Sequence, residues 1–129
     1  MEERFVYMTP QQIEDRKAKV AAIEGLADLR AAIKNRHDYF QAKMQFERGE
    51  IDFESVPVYR SGEVKELEKK YPRAAAYLEA ERWINSEDPV KIRLGSRAME
   101  KILNGEDPGA AIQEMSQGLD AFSLAQQGD

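Results

Sequence analysis

Arg93, Arg97 and Lys101 recur every four positions, a spacing that sets three cations on one face of a helix, with Lys91 close by. Such a stripe is either a solvated face or a docking surface for phosphates or an acidic partner. It is framed by two near-identical phrases, I-N-S-E-D-P from Ile84 and L-N-G-E-D-P from Leu103. Each phrase combines Asn, Glu and Asp, so each is first tested as a cation-binding loop. A calcium loop of the EF-hand kind needs D-x-[DN]-x-[DN]-G followed by a Glu, and neither N-S-E-D-P-V nor N-G-E-D-P-G supplies that order. Helix punctuation accounts for every position instead. Asn85 and Asn104-Gly105 suit the left-handed geometry of a helix end, Asp88 and Asp107 suit the N-cap of the next helix, and Pro89 and Pro108 its first turn.

Other residues with chemical capacity are few. His37 is the only histidine, so neither a two-His metal centre nor paired Glu-x-x-His motifs can be assembled from one chain. It falls between Ile33 and Phe40 on an apolar series, which predicts a partly buried imidazole bonded to a neighbour, with Asp38 beside it. Asp52 ahead of Glu63-Val64-Lys65 resembles the pattern of metal-dependent nucleases, in which two carboxylates hold magnesium and a lysine orients water. That pattern needs adjoining strands, whereas Glu63 and Lys65 open a run that reads as helix. Phosphate-loop and dinucleotide fingerprints are absent, and so are nucleophile-elbow glycines and thiols.

Net charge sharpens these exclusions. The formal charge of −5 argues against a sequence-independent grip on nucleic acid or on an anionic membrane, both of which need a basic surplus. Helix-turn-helix recognition fares no better, because everything after Lys101 lacks Lys and Arg and carries Glu106, Asp107, Glu114, Asp120 and Asp129. The lack of cysteine removes disulfides, thiolate catalysis and Cys-ligated zinc, and is compatible with a reducing compartment. No apolar run is long enough to span a bilayer, and Met1-Glu2-Glu3-Arg4 lacks the order of a signal peptide, so a cytoplasmic chain is expected.

The elements that must carry these residues are mainly helical. Phe5-Val6-Tyr7-Met8 belongs to a short extended arm over residues 1–9, and Thr9-Pro10-Gln11-Gln12 has the capping-box arrangement that starts a helix. Val20, Ile23, Leu26, Leu29, Ile33, Phe40 and Met44 follow in steps of three and four, without a jump of phase at Gly25 or at Asn35. This predicts one long helix over 10–48, about 39 residues and ~58 Å. A domain of this size is only ~36 Å across, so a second copy of the chain is expected to cover the overhang. Glu50-Ile51-Asp52-Phe53-Glu54-Ser55 alternates with period two, predicting an extended segment over 49–60 whose only available strand partner is Phe5–Met8. Shorter helices fill 61–126, with Gly95-Ser96 placed where a neighbouring helix can approach closely, and Tyr71, Tyr77 and Trp83 as core aromatics.

These readings converge on a single, mainly α domain over 1–129, a bundle of about five helices with a minor β-ribbon element. No complete catalytic set, cofactor or metal site is expected. The function expected is that of a non-enzymatic helical interaction module, homodimeric through the long helix, that binds another macromolecule, with Lys91, Arg93, Arg97 and Lys101 as the binding stripe. The alternatives are a nucleic acid or phosphorylated partner on that stripe, a magnesium-dependent nuclease, and a small acidic inhibitor of another protein.

Overall fold

A computed structural model describes residues 9–127 and is mainly helical, with six α-helices and no strand among the described residues. The helices are α1 (Pro10–Ala21), α2 (Leu26–Glu47), α3 (Glu63–Lys70), α4 (Pro72–Ile84), α5 (Pro89–Leu103) and α6 (Pro108–Gln127). They divide into two compact units, Met1–Glu24 with Ala76–Asp129, and Gly25–Ala75. No described helix is long and apolar enough to cross a membrane.

The capping box forms as its residues require. The Thr9 N–H donates to Gln12 Oε1 at 2.8 Å and the Gln12 N–H donates to Thr9 Oγ1 at 3.1 Å, satisfying two of the donors that open α1. The long helix, however, does not form, and its division makes the helices six rather than about five. α1 ends at Ala21, Ile23 is buried in the turn that follows, and Gly25 takes the left-handed conformation (φ +78°) as the N-cap of α2. The ring of Tyr71 lies against Gly25, so close that a Cβ there would collide with it. The apolar steps cross the break undisturbed because Ile23 in the turn and Leu26 at the start of α2 are both buried. At Asn35 the unbroken phase does predict the outcome, and α2 runs through it.

The first unit is built on the contact between α5 and α6, with α1 laid on α5. Its buried side chains include Tyr77, Ala80, Ala98, Met99, Ile102, Ala111 and Met115. Gly95 allows α4 and α5 to approach closely, since a Cβ on it would meet Trp83 Cβ at 2.8 Å and the Ala80 carbonyl oxygen at 2.9 Å. α1 contributes no buried residue and is fastened by polar groups. Arg16 donates to Glu100 Oε2 at 3.1 Å and to Met99 Sδ at 3.2 Å, and Lys19 Nζ donates to Asn104 Oδ1 at 3.2 Å.

Both doubled phrases are helix junctions. The Asp88 side chain accepts from the Val90 N–H at 2.9 Å and the Asp107 side chain from the Ala110 N–H at 2.8 Å, with Pro89 and Pro108 opening the helices they cap. Gly105 alone takes the left-handed conformation (φ +87°); Asn85 and Asn104 do not, because no residue other than glycine has a positive φ among the described residues.

The second unit joins α2 to α3, with Leu26, Leu29, Ala32, Ala42, Val64 and Ala74 buried. No β-ribbon forms from the alternating segment. Arg48 pairs with Glu50 at 2.8 Å, Phe53–Ser55 makes one 3-10 turn, and the chain from Val56 to Arg60 is extended with no strand partner among the described residues; Phe5–Met8, the partner expected for it, lies outside them. Its backbone is satisfied by a side chain instead. Asn35 Nδ2 donates to the Val58 carbonyl at 2.8 Å while Asn35 Oδ1 accepts from the Arg60 N–H at 3.2 Å, so one amide side chain on α2 does what the edge of a strand would do.

Candidate functional site

The basic stripe on α5 is distributed over different environments. Arg93 and Arg97 are exposed. Lys101 is half-buried and bonded to Glu114 of α6, and this hydrogen bond and charge, with a smaller contribution from Arg97, hold the Glu114 carboxyl below the usual glutamate range. Lys91 lies over the Trp83 ring, 5.6 Å from its centroid, while the Trp83 indole N–H and Arg82 both donate to Glu79. Two of the four cations are thus engaged within their own unit.

The other singled-out residues are also placed. Asp52 precedes the 3-10 turn, and Glu63 opens α3 and faces Arg60 at 3.4 Å, while Lys65 is exposed. No three His, Asp or Glu side chains are grouped to hold a metal among the described residues. His37 is exposed rather than partly buried, and Asp38 pairs instead with Lys34 at 2.6 Å. The cause is the loss of cover along α2: its deeply buried positions stop at Ala32 apart from Ala42, so the apolar series Ile33, His37, Phe40, Met44 emerges into solvent after Ile33.

That emerging series forms the most distinctive surface of the protein. Phe40 and Met44, one turn apart on α2, are 46% and 52% exposed. Beside them the segment 53–60 runs back along the helix and is fastened in three places. Phe53 meets Phe46 edge-on at 5.7 Å, Tyr59 stacks on Tyr39 at 4.8 Å and leans against Phe40 at 5.5 Å, and Asn35 clamps Val58 and Arg60. Fastening does not cover it: Phe53 remains 71% and Val58 82% exposed. Five of the nine large apolar side chains exposed among the described residues lie here, between Phe40 and Val58. Dispersed apolar exposure is ordinary on a protein surface, whereas an aromatic concentration of this kind is characteristic of contact surfaces.

No family of known proteins, no curated protein and no solved structure matches this chain.

One end of the aromatic surface borders a cavity of about 240 Å³, lined by Arg36, Tyr59, Arg60, Ser61, Gly62, Val64 and Lys65. Tyr59 belongs to both features. Arg36 precedes Phe40 by one turn of α2 and Lys65 stands in the first turn of α3, so the two helices supply cations from either side. A second hollow, about 430 Å³, lies along the α1–α5 contact and is lined by the polar side chains that make that contact, Arg16, Lys19, Glu100 and Asn104 among them.

The aromatic surface was only partly visible beforehand. Phe40 and Met44 lie on the apolar series, but the alternation along 50–55 predicts an extended segment paired with Phe5–Met8, not an exposed ring at Phe53. The missed signal is Asn35, whose amide matches a peptide edge. It brings Tyr59 onto α2 across more than twenty residues of sequence.

Proposed function

We propose that this protein is a helical interaction module whose contact surface is the aromatic face formed by α2 and residues 53–60, and that its function is recognition of another protein rather than catalysis. The observation that carries this reading is the uncovered series His37, Phe40, Met44 with the exposed Phe53 and Val58 beside it. Rigid aromatic side chains concentrated on one fastened surface contribute large contact area at small entropic cost, which is how interface anchors work. The homodimer expected from an overhanging helix loses that basis with the break at Gly25, and self-association would instead use this same face.

The absence of cysteine gives a direct test. Met44→Cys, labelled with a photoreactive maleimide, should cross-link a defined protein in an extract of the native cells, and adding Phe40→Asp or Phe53→Asp should abolish that product while helix content and a cooperative thermal transition are retained. A cysteine at Lys17, on α1, should give no such product. A product of twice the chain mass would make the partner a second copy. Cross-linking that survives both aspartate substitutions would refute the reading.

A further inference from the structure

The cavity beside the aromatic face has an unbalanced charge. Arg36, Arg60 and Lys65 line it. Arg60 is paired with Glu63, whereas Arg36 and Lys65 have no carboxylate partner among the described residues. Elsewhere in the same unit Lys34 and Arg48 each hold a carboxylate, through Asp38 and Glu50. Two uncompensated cations therefore converge on one hollow from two helices. The neutral groups around them are donors too: the Ser61 hydroxyl, and the backbone N–H groups of Val64 and Lys65, which the α3 N-cap, Gly62, leaves without a side-chain cap.

This inventory selects a ligand. A planar guanidinium, an ammonium and a hydroxyl on a common hollow match tetrahedral oxyanions, with Arg36 able to form paired bonds and Lys65 acting as a point charge. Two uncompensated positive charges match a phosphate monoester, which carries −1.5 to −2 near pH 7, better than a single carboxylate. At about 240 Å³ the hollow is smaller than the usual pocket for a whole cofactor or drug-sized molecule, and so suits a head group whose remainder lies outside. The remainder would lie on Tyr59, whose ring stacks on Tyr39 and leads onto Phe40.

We propose that the cavity bounded by Arg36, Tyr59, Arg60, Ser61 and Lys65 receives the phosphate of a phosphorylated side chain on the protein partner that docks on the adjoining aromatic face. This rests on the interaction reading above for the partner, and on the paired and unpaired cations for the phosphate. Arg60 exchanges part of its pairing with Glu63 for the phosphate as the group enters, and Glu63 disfavours deeper entry.

The test is a titration of the full chain followed by amide NMR, using phenyl phosphate, inorganic phosphate and benzoate as probes. Phenyl phosphate should shift the amides of Ser61, Gly62, Val64 and Lys65, and should bind about tenfold more tightly than either other probe, because it alone combines the dianion with a ring for Tyr59. Arg36→Gln and Lys65→Gln, both on exposed side chains, should each weaken it about tenfold, while Lys43→Gln on the same unit should leave it unchanged. No shift at residues 61–65, equal binding of benzoate, or indifference to Arg36→Gln and Lys65→Gln would overturn the phosphate assignment. Inorganic phosphate binding as tightly as phenyl phosphate would overturn its attachment to a partner side chain. If cross-linking at Met44 persists while these probes fail, the phosphate assignment alone falls. If the probes bind but cross-linking survives the aspartate substitutions, the docking face falls, and with it the partner-borne phosphate.

Discussion

Gly95→Ala should destabilise this protein although it places the best helix former inside a helix. Within α5 the substitution gains about 1 kcal/mol of helix propensity. Against that, the new Cβ would lie 2.8 Å from Trp83 Cβ and 2.9 Å from the Ala80 carbonyl oxygen, distances that real Cβ atoms essentially never show. Neither neighbour is the far end of a flexible side chain, so relief requires α4 and α5 to separate. Overpacking of this kind costs about 1–3 kcal/mol, and contact with backbone puts Gly95 in the upper half of that range, leaving a net loss of ~1–2 kcal/mol. Gly118 in α6 supplies the control. A Cβ there meets Leu94 Cδ2 at 2.6 Å, but a leucine methyl can rotate away, so Gly118→Ala should be neutral or gain up to about 1 kcal/mol. Urea unfolding followed by the fluorescence of Trp83, the only tryptophan, measures both. Gly95→Ala should lower the midpoint by ~0.5–1 M at unchanged slope. A Gly95→Ala protein as stable as the parent would refute the argument that backbone contact, rather than propensity, governs this position.

Other outcomes follow from the same geometry. Gly25→Ala and Gly49→Ala both force a left-handed alanine, costing about 1–2 kcal/mol, but only Gly25 also meets the Tyr71 ring, so its thermal midpoint should fall clearly further. Asn35→Leu, which cannot make either bond to Val58 or Arg60, should lower stability by about 1–3 kcal/mol and speed hydrogen exchange of the Arg60 amide. Because Lys101 lowers the Glu114 pKa on folding, the contribution of that pair is fully present above the usual glutamate pKa and is lost as pH falls through the lowered value. Lys101→Gln should move the Glu114 carboxyl titration, read by carbon NMR, back up toward the usual value.

The sequence discloses those parts of the fold that local chemistry decides. The capping box at Thr9, both Asp-Pro junctions and the close approach at Gly95 were legible because each depends on residues within one turn or on a missing Cβ. The break at Gly25 was not, because the apolar steps stay in phase across the turn and the decisive contact, Tyr71, is 46 positions away in the chain. The alternation at 50–55 misled for a related reason. Period two describes which side chains differ, but extended pairing needs a neighbour to share its hydrogen bonds, and Asn35 supplies that role for only two residues, Val58 and Arg60. The cavity cations Arg36, Arg60 and Lys65 show no spacing rule at all, since they come from one helix, one extended segment and another helix start.

The division into units also bears on how the chain is made. The unit holding α1 is completed only by residues from Ala76 onward, and Arg16 finds Glu100 84 positions later. At translation rates of about 5–20 residues per second, Arg16 leaves the ribosome roughly 4–17 s before Glu100 does. During that interval Gly25–Ala75 emerges whole and has its own contacts to make, whereas α1 has only bonds within itself, its capping box among them. A nascent chain stalled before Glu100 emerges would therefore hold the aromatic face outside the ribosome while α1 still lacks its acceptor.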